Sequence, residues 1–274
     1  MRFFPELVLL AVTALWGTTF VIVKDALADA SPLAFLAVRF AIAAAAAFAF
    51  ALAARSKIPW RPGLLVGVVL FAAYFFQTAG LAEIAPSRSA FLTGLYVVFV
   101  PFASRIVLGR WPARAAVLGV ALAAAGLFVL TRPDTTGGFT LGDLLTLGCA
   151  FSYAFHITLT QRFAAGGAGF VAVQMAVVAG LSWLSFPVVP HHLHFTSAVI
   201  IGVVVCGLFA SALAINLQTW GQGKTSAVRA AIIFSLEPAF AAFTSYFAGR
   251  EPLTVSTLVG GGLIMAGVLA AELG

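Results

Sequence analysis

Charge is what this chain has least of. Only 9% of its 274 residues are Asp, Glu, Lys or Arg, against about 25% in a soluble domain. So few polar side chains cannot cover a water-facing surface, which excludes a soluble globular protein. Hydrophobic residues make up 62%, which excludes disorder as well. Cysteine is nearly absent. Cys149 and Cys206 lie in apolar runs without metal or redox spacing, and read as inert buried thiols. The net charge of +6 comes from fifteen Lys and Arg scattered along the chain, with no dense basic patch for a nucleic-acid partner. Catalytic signatures are missing too. There is no H-E-x-x-H, G-x-S-x-G, C-x-x-C or G-x-G-x-x-G. Gly223-Lys224-Thr225 ends like a phosphate-binding loop, but the glycine required upstream is Gln218. A membrane enzyme or lipid-modifying scaffold therefore has no visible catalytic set, and no cofactor is expected. His191, His192 and His194 share one loop without acidic or Cys neighbours, so they read as a solvated loop and not as a metal site.

What is present is a series of apolar runs, each near the ~20 residues that cross a bilayer. They fall at 5–27, 32–54, 63–83, 88–108, 113–131, 141–163, 169–188, 196–220, 225–248 and 253–272. Charges, Pro or Gly separate them. The runs are continuously apolar rather than alternating, which favours helices over barrel strands. The expectation is an all-α integral membrane protein with ten transmembrane helices and no loop long enough for a soluble domain. Arg2, the first run and Ala28-Asp29-Ala30 look like a cleavable leader. That run is long, is interrupted by Trp16-Gly17 and has a counterpart later, so it is taken as the first span.

The basic residues alternate from loop to loop. With the N-terminus inside, Arg2, Arg55, Lys57, Arg61, Arg105, Arg110, Arg114, Arg162, Lys224 and Arg229 face the cytoplasm; Lys24, Arg88, Arg132 and Arg250 face the other side. This bias places both termini in the cytoplasm.

The two halves repeat. Phe35-Leu36-Ala37-Val38-Arg39-Phe40-Ala41 aligns with Phe170-Val171-Ala172-Val173-Gln174-Met175-Ala176 at an offset of 135. Gln77-Thr78 returns as Gln218-Thr219 at 141, and Arg88 returns as Arg229 at the same offset. Gly119 and Gly126 return as Gly260 and Gly267, also at 141. The expected units are 1–135 and 136–274, each a five-helix repeat. An odd number of spans inverts the second copy in the membrane. Inverted repeats are typical of secondary transporters, with a site near the midplane.

Leu15-Trp16-Gly17-Thr18-Thr19-Phe20 with Lys24, Arg39, the run from Ser89 to Pro101, and Thr225 to Ala231 followed by Leu236-Glu237-Pro238 carry a family likeness. Over its whole length the chain resembles the drug/metabolite transporter superfamily, EamA type, and is similar to its bacterial amino-acid exporters of the YddG type. The resemblance implies a ten-helix inverted-repeat fold in the bacterial inner membrane. It implies export of amino acids, aromatic and hydrophobic ones included, and related small metabolites by alternating access. Drugs, nucleotide sugars or lipids are the alternative cargo, although a single arginine within the spans disfavours phosphorylated ones. Partners would be the small-molecule substrate and membrane lipids, and a monomer would suffice. One departure is Gly-Arg at 109–110 and 249–250, where many members have Gly-Glu. It is expected to alter loop electrostatics rather than substrate choice.

Charges inside the bilayer cost roughly 2.5–3.5 kcal/mol each on insertion scales, so Arg39 and Glu237 need a reason to be there. Glu237 precedes Pro238, where a helix kink would free backbone groups. Its carboxylate suits a substrate ammonium or a coupling proton, or it serves structurally as a neutral or hydrogen-bonded group bridging helices around the kink. Arg39, with Gln174 as its repeat partner, could attract a substrate carboxylate, but reads rather as an interhelical clamp onto backbone carbonyls or Glu237. The candidate cavity lining is Trp16 and Phe20, Tyr74 and Gln77, Thr93 and Tyr96, Tyr153 and His156, with Gln218 and Glu237. Each pair is three or four residues apart and shares a helix face. Hydroxyls and amides would hold a zwitterion's polar end while aromatic faces take the rest. Gly119, Ala123 and Gly126, with Gly260 to Gly262, Ala266 and Gly267, read as close-packing faces. Trp60, Trp111, Trp220 and Tyr246 read as interfacial anchors.

Overall fold

The computed structural model describes residues 3–131, 138–249, 252 and 254–273. Arg2, Arg132, Arg250 and the expected boundary at 135–136 lie outside the described residues. Among the described residues every regular element is a helix, as continuously apolar sequence demands in a medium that cannot satisfy open strand edges. The helices are α1 Phe4–Ala26, α2 Pro32–Ala53, α3 Trp60–Glu83, α4 Pro86–Gly94, α5 Tyr96–Leu108, α6 Arg114–Thr131, α7 Leu141–Phe163, α8 Gly167–Leu184, α9 Ser197–Val205, α10 Ala214–Gln222, α11 Ala227–Phe234, α12 Glu237–Phe247 and α13 Val255–Leu273.

Seven stretches among these are long and apolar enough to cross a membrane, and Arg114–Val129 and Val255–Ala271 are shorter apolar helices. One of the seven, Leu141–Leu184, turns at a short 3₁₀ segment, Ala164–Gly166, and is folded as α7 and α8. The chain is thus a multi-pass membrane protein. Its outer surface is apolar, with Leu52, Ile106, Phe128 and Leu269 exposed. The expected anchors Trp60, Trp111, Trp220 and Tyr246 are exposed as well.

The closest packing joins the two halves of the chain. α6 lies along α13, α2 along α8, and α3 along α7. Glycine makes the first of these contacts. A Cβ on Gly126 would stand 2.6 Å from the Gly260 carbonyl oxygen, and one on Gly119 2.7 Å from that of Gly267. The small-residue faces read from the sequence are the contact itself.

Three spans are not the continuous helices expected. The stretch at 88–108 breaks at Leu95, between α4 and α5. The stretch at 225–248 breaks at Ser235–Leu236, between α11 and α12. At both breaks the leucine N–H bonds three residues back: Leu95 to the Leu92 carbonyl at 3.3 Å, Leu236 to that of Ile233 at 3.1 Å. The two leucines are 141 residues apart, the offset that relates Gln77 to Gln218. Pro238 therefore does not kink a continuous helix, as expected from sequence. It sits in the first turn of α12, where its missing N–H costs nothing. The third irregular span carries a π-helical segment, Cys206–Leu213, between α9 and α10. Wider turns of this kind leave carbonyls for side chains to satisfy.

Candidate functional site

A cavity lies where α1, α2, α3, α5, α7, α10 and the α11–α12 break converge. Eight of the ten expected residues line it: Trp16, Phe20, Tyr74, Gln77, Tyr96, Tyr153, Gln218 and Glu237. Two do not. Thr93 is buried with its Oγ1 3.8 Å from the Cys149 Sγ. His156 is fully buried, with Nε2 2.9 Å from Gln174 Oε1 and 3.3 Å from Thr160 Oγ1. Sharing a helix face with a lining residue did not bring either into the wall. Tyr96 faces the cavity from α5, on the far side of the Leu95 break from Thr93, and the side chain of Tyr153 fills the wall beside His156.

Arg39, read chiefly as a clamp, is part of the wall. Its Nε donates to Ser211 Oγ at 3.0 Å, and its guanidinium lies 4.8 Å from the Tyr74 ring centre. Its partner is therefore a hydroxyl of the π segment and an aromatic face, not Glu237. Gln174 stays away from the cavity, bonded to His156 and to the Phe170 carbonyl at 3.3 Å.

The aromatic rings form one edge-to-face chain. Phe40 meets Tyr74 at 4.7 Å, Tyr74 meets Tyr153 at 5.7 Å, and Tyr153 meets Tyr96 at 6.4 Å. Trp16 packs on Phe234 at 5.3 Å, and its Nε1 donates to the Ala210 carbonyl at 2.8 Å. Trp16 and Arg39 thus both hold the π segment, one through a carbonyl and one through Ser211. Gly17 explains how α1 gets close enough. A Cβ there would stand 2.8 Å from the Glu237 carbonyl oxygen and 2.6 Å from the Phe240 Cβ.

Sequence reasoning missed Phe234, Thr19, Thr78, Ile157, Val23 and Leu81 in the wall. Thr19 and Thr78 were within reach of the same helix-face logic, lying three after Trp16 and four after Tyr74. Phe234 is 141 residues after Thr93, so the repeat puts an aromatic in the wall on one side only. Several polar atoms lack a partner: Tyr96 Oη and Gln218 Oε1 are both buried and unbonded in the described structure. The cavity's free volume is about 40 Å³, well under the ~300–1,000 Å³ of a ligand pocket. Two larger hollows lie toward the Lys224 end: one of about 800 Å³ with a mostly apolar lining from α2, α8, the π segment and α10, in which Gln161, Arg162, Thr219 and Lys224 are polar members, and one of about 570 Å³ lined by Arg110, Gln161, Arg162 and Arg229 among others.

At the opposite end charged side chains tie the helices together. Lys24 Nζ donates to the carbonyls of Leu81, Ala82 and Ile84 at 2.7, 3.0 and 3.1 Å, covering the negative end of α3. Arg88 grips Asp143 with two bonds, Nε to Oδ1 at 2.6 Å and Nη2 to Oδ2 at 2.8 Å. Asp143 also accepts from the Thr140 backbone N–H at 2.7 Å in a capping box that starts α7.

A membrane-spanning helical bundle with two charges and an aromatic wall around a buried central cavity belongs to the class of small-molecule transporters. The chain belongs to the EamA-like transporter family, whose sequence profile matches residues 3–132 and again 140–271. An uncharacterized transporter of Archaeoglobus fulgidus is 31% identical, over 99% of this chain and 87% of its own length. A probable amino-acid metabolite efflux pump of Salmonella typhimurium is 28% identical, over 94% of this chain and 91% of its own. A solved crystal structure, 22% identical, superposes with a TM-score of 0.84 over 100% of this chain and 98% of that one, and so shares its fold.

Proposed function

We propose that this protein exports amino acids and related small metabolites across the bacterial inner membrane by alternating access. The observation that carries it is the presence of both Arg39 and Glu237 in the wall of one aromatic-lined cavity beside two helix breaks. A zwitterion presents opposite charges a short distance apart with a variable side chain beside them. Glu237 takes the ammonium, Arg39 draws the carboxylate, and Trp16, Tyr74, Tyr96 and Tyr153 receive flat or apolar side chains. The name of the Salmonella relative supports the same cargo.

The architecture in this reading is ten transmembrane helices in two inverted five-helix repeats, 1–135 and 136–274. Its support is the family profile matching twice, the breaks at Leu95 and Leu236, and packing of α2 on α8 and α6 on α13, which pairs corresponding elements. The end bearing Arg110, Arg162, Lys224 and Arg229 is the cytoplasmic one by the excess of basic residues. Both termini lie on that side. Drugs or nucleotide sugars are the alternative cargo.

The test is flux in proteoliposomes with a panel of amino acids, with and without a pH gradient. Uptake of at least one class is expected, competed by aromatic or branched members. Absence of movement for every amino acid under both conditions would sink the proposal. In this reading Glu237 carries the coupling proton. Glu237→Gln should then remove the pH dependence and leave exchange, and retained pH dependence would rule out that role.

A further inference from the structure

The closed cavity and the open hollows are separated by one turn of helix. Ile157 and Gln218 line the cavity, whereas Gln161 lines both hollows and Thr219 the larger one. Four residues along α7 lead from Ile157 to Gln161, and four along α10 lead from Gln218 to Gln222, about 6 Å of rise. Neutral amides fill this layer. Gln218 Nε2 donates to Gln222 Oε1 at 2.8 Å, and Gln222 Nε2 donates to the Ile157 carbonyl at 2.9 Å. Beyond it Gln161 Nε2 donates to the Thr225 carbonyl at 2.9 Å and its Oε1 accepts from the Ala227 N–H at 2.8 Å. Gln222 is fully buried, and no lining residue recognised from the sequence includes it.

A second observation marks this layer as a passage. On its cavity side Gln218 Oε1 has no partner, and on its outer side Thr219 Oγ1 has none, although both residues are 2% exposed. Buried polar atoms are normally bonded, and leaving them empty is costly. Two acceptors flanking a layer of exchangeable amide bonds suit a molecule that brings its own donors.

We propose that Gln218 and Gln222, braced on the Ile157 carbonyl, form the gate between the cavity and the Lys224 end. A solute carrying N–H or O–H donors passes by replacing the Gln218–Gln222 bond with bonds of its own. This deepens the transport function proposed above and rests on it for the direction of passage only. No side chain in the layer is ionised, so a charged group crosses it without meeting a fixed counter-charge that would hold it.

The test uses the full chain with Cys149 and Cys206 replaced by Ala and a single new cysteine. A small, charged, membrane-impermeant methanethiosulfonate is applied to one side at a time. Gln222→Cys should react at least tenfold faster from the Lys224 side than from the Lys24 side. Equal rates, faster reaction from the Lys24 side, or no reaction from either would overturn the gate. This measurement needs no substrate, so it stands even if the amino-acid proposal fails. With a transported amino acid in hand, Gln222→Leu should cut maximal flux at least tenfold with KM within twofold, and Gln222→Asn should restore most of it. Wild-type flux in Gln222→Leu, or a change confined to KM, would overturn it equally.

Discussion

At the Lys24 end of the cavity a lysine, an arginine and an aspartate tie α1 to α3 and α4 to α7, whereas at the Lys224 end the bonds between cavity and hollow are those of neutral glutamines. The difference is one of bond strength. Bonds with an ionised partner contribute about 1.5–3 kcal/mol, and neutral ones about 1. Toward the Lys24 end the cavity is lined by Phe20, Val23 and Leu81. A transporter that alternates must break one seal to make the other. In the proposed cycle the Lys24 end would be the harder one to open, because its fastenings are charged. The contracted cavity, with room for a few waters, lies between the two ends.

The most damaging way to disturb this comparison is to move the point both ends share. Gly17→Val would drive a side chain into the Glu237 carbonyl and the Phe240 Cβ. Both contacts are under 3 Å and one is backbone, so α1 must withdraw from the α11–α12 break. Overpacking of this kind costs about 1–3 kcal/mol. A fall in the melting temperature in detergent is expected, with flux reduced at least a hundredfold. Normal flux would show that the close approach of α1 to Glu237 is not needed.

Removing the ion pair attacks the stronger seal directly. Asp143 is 1% exposed and the Arg88 side chain 26%. Breaking a fully buried pair costs about 3–5 kcal/mol, and the exposure of Arg88 brings the expected loss to about 2. Asp143→Ala should also admit thiol reagent from the Lys24 side to a cysteine at Thr78, which lines the cavity. A double-mutant cycle with Arg88→Ala checks that the effect belongs to the pair. Unchanged labelling would mean that Lys24 alone keeps this end closed.

Lys24→Met tests that second fastening. It keeps the apolar stem and removes three donations to carbonyls at the C-terminal end of α3, two within the helix and one on the residue after it. Those carbonyls regain water at the membrane surface, so about 1–2 kcal/mol is expected. Thr78→Cys should become accessible from the Lys24 side, but more slowly than with Asp143→Ala. Faster labelling than in Asp143→Ala would reverse the ranking of the two fastenings.

Much of this asymmetry was legible in the sequence and part was not, for physical reasons. Hydropathy marks where helices cross because the bilayer accepts little else, and the positions of α1, α2, α3, α7 and α8 follow from it. Helix-face spacing found Trp16, Phe20, Tyr74, Gln77, Tyr96 and Tyr153 because aromatic and amide side chains on an apolar helix have few other places to go. The same rule misplaced Thr93 and His156, since it tells which residues share a face but not which part of that face meets a cavity. Arg39 looked like a clamp because its partner, Ser211, lies far along the chain on a π segment that leaves no compositional mark. Gln222 was invisible for a similar reason. Its role depends on the Ile157 carbonyl, and a backbone acceptor has no identity in sequence.

The smallest effect expected is at Trp16, where the cavity wall and the π segment meet. Trp16→Phe keeps an aromatic ring against Phe234 but loses the donation to the Ala210 carbonyl. A lone neutral hydrogen bond contributes about 1 kcal/mol, so the melting temperature should fall by only a few degrees. The π segment also carries Ser211, the partner of Arg39, so loosening it should be felt in substrate affinity before it is felt in flux. KM should rise severalfold with maximal flux within twofold, whereas Gln222→Leu does the reverse. Finding the same pattern for both variants would mean that cavity and gate are not separate elements, and that the two ends of this transporter differ in strength but not in kind.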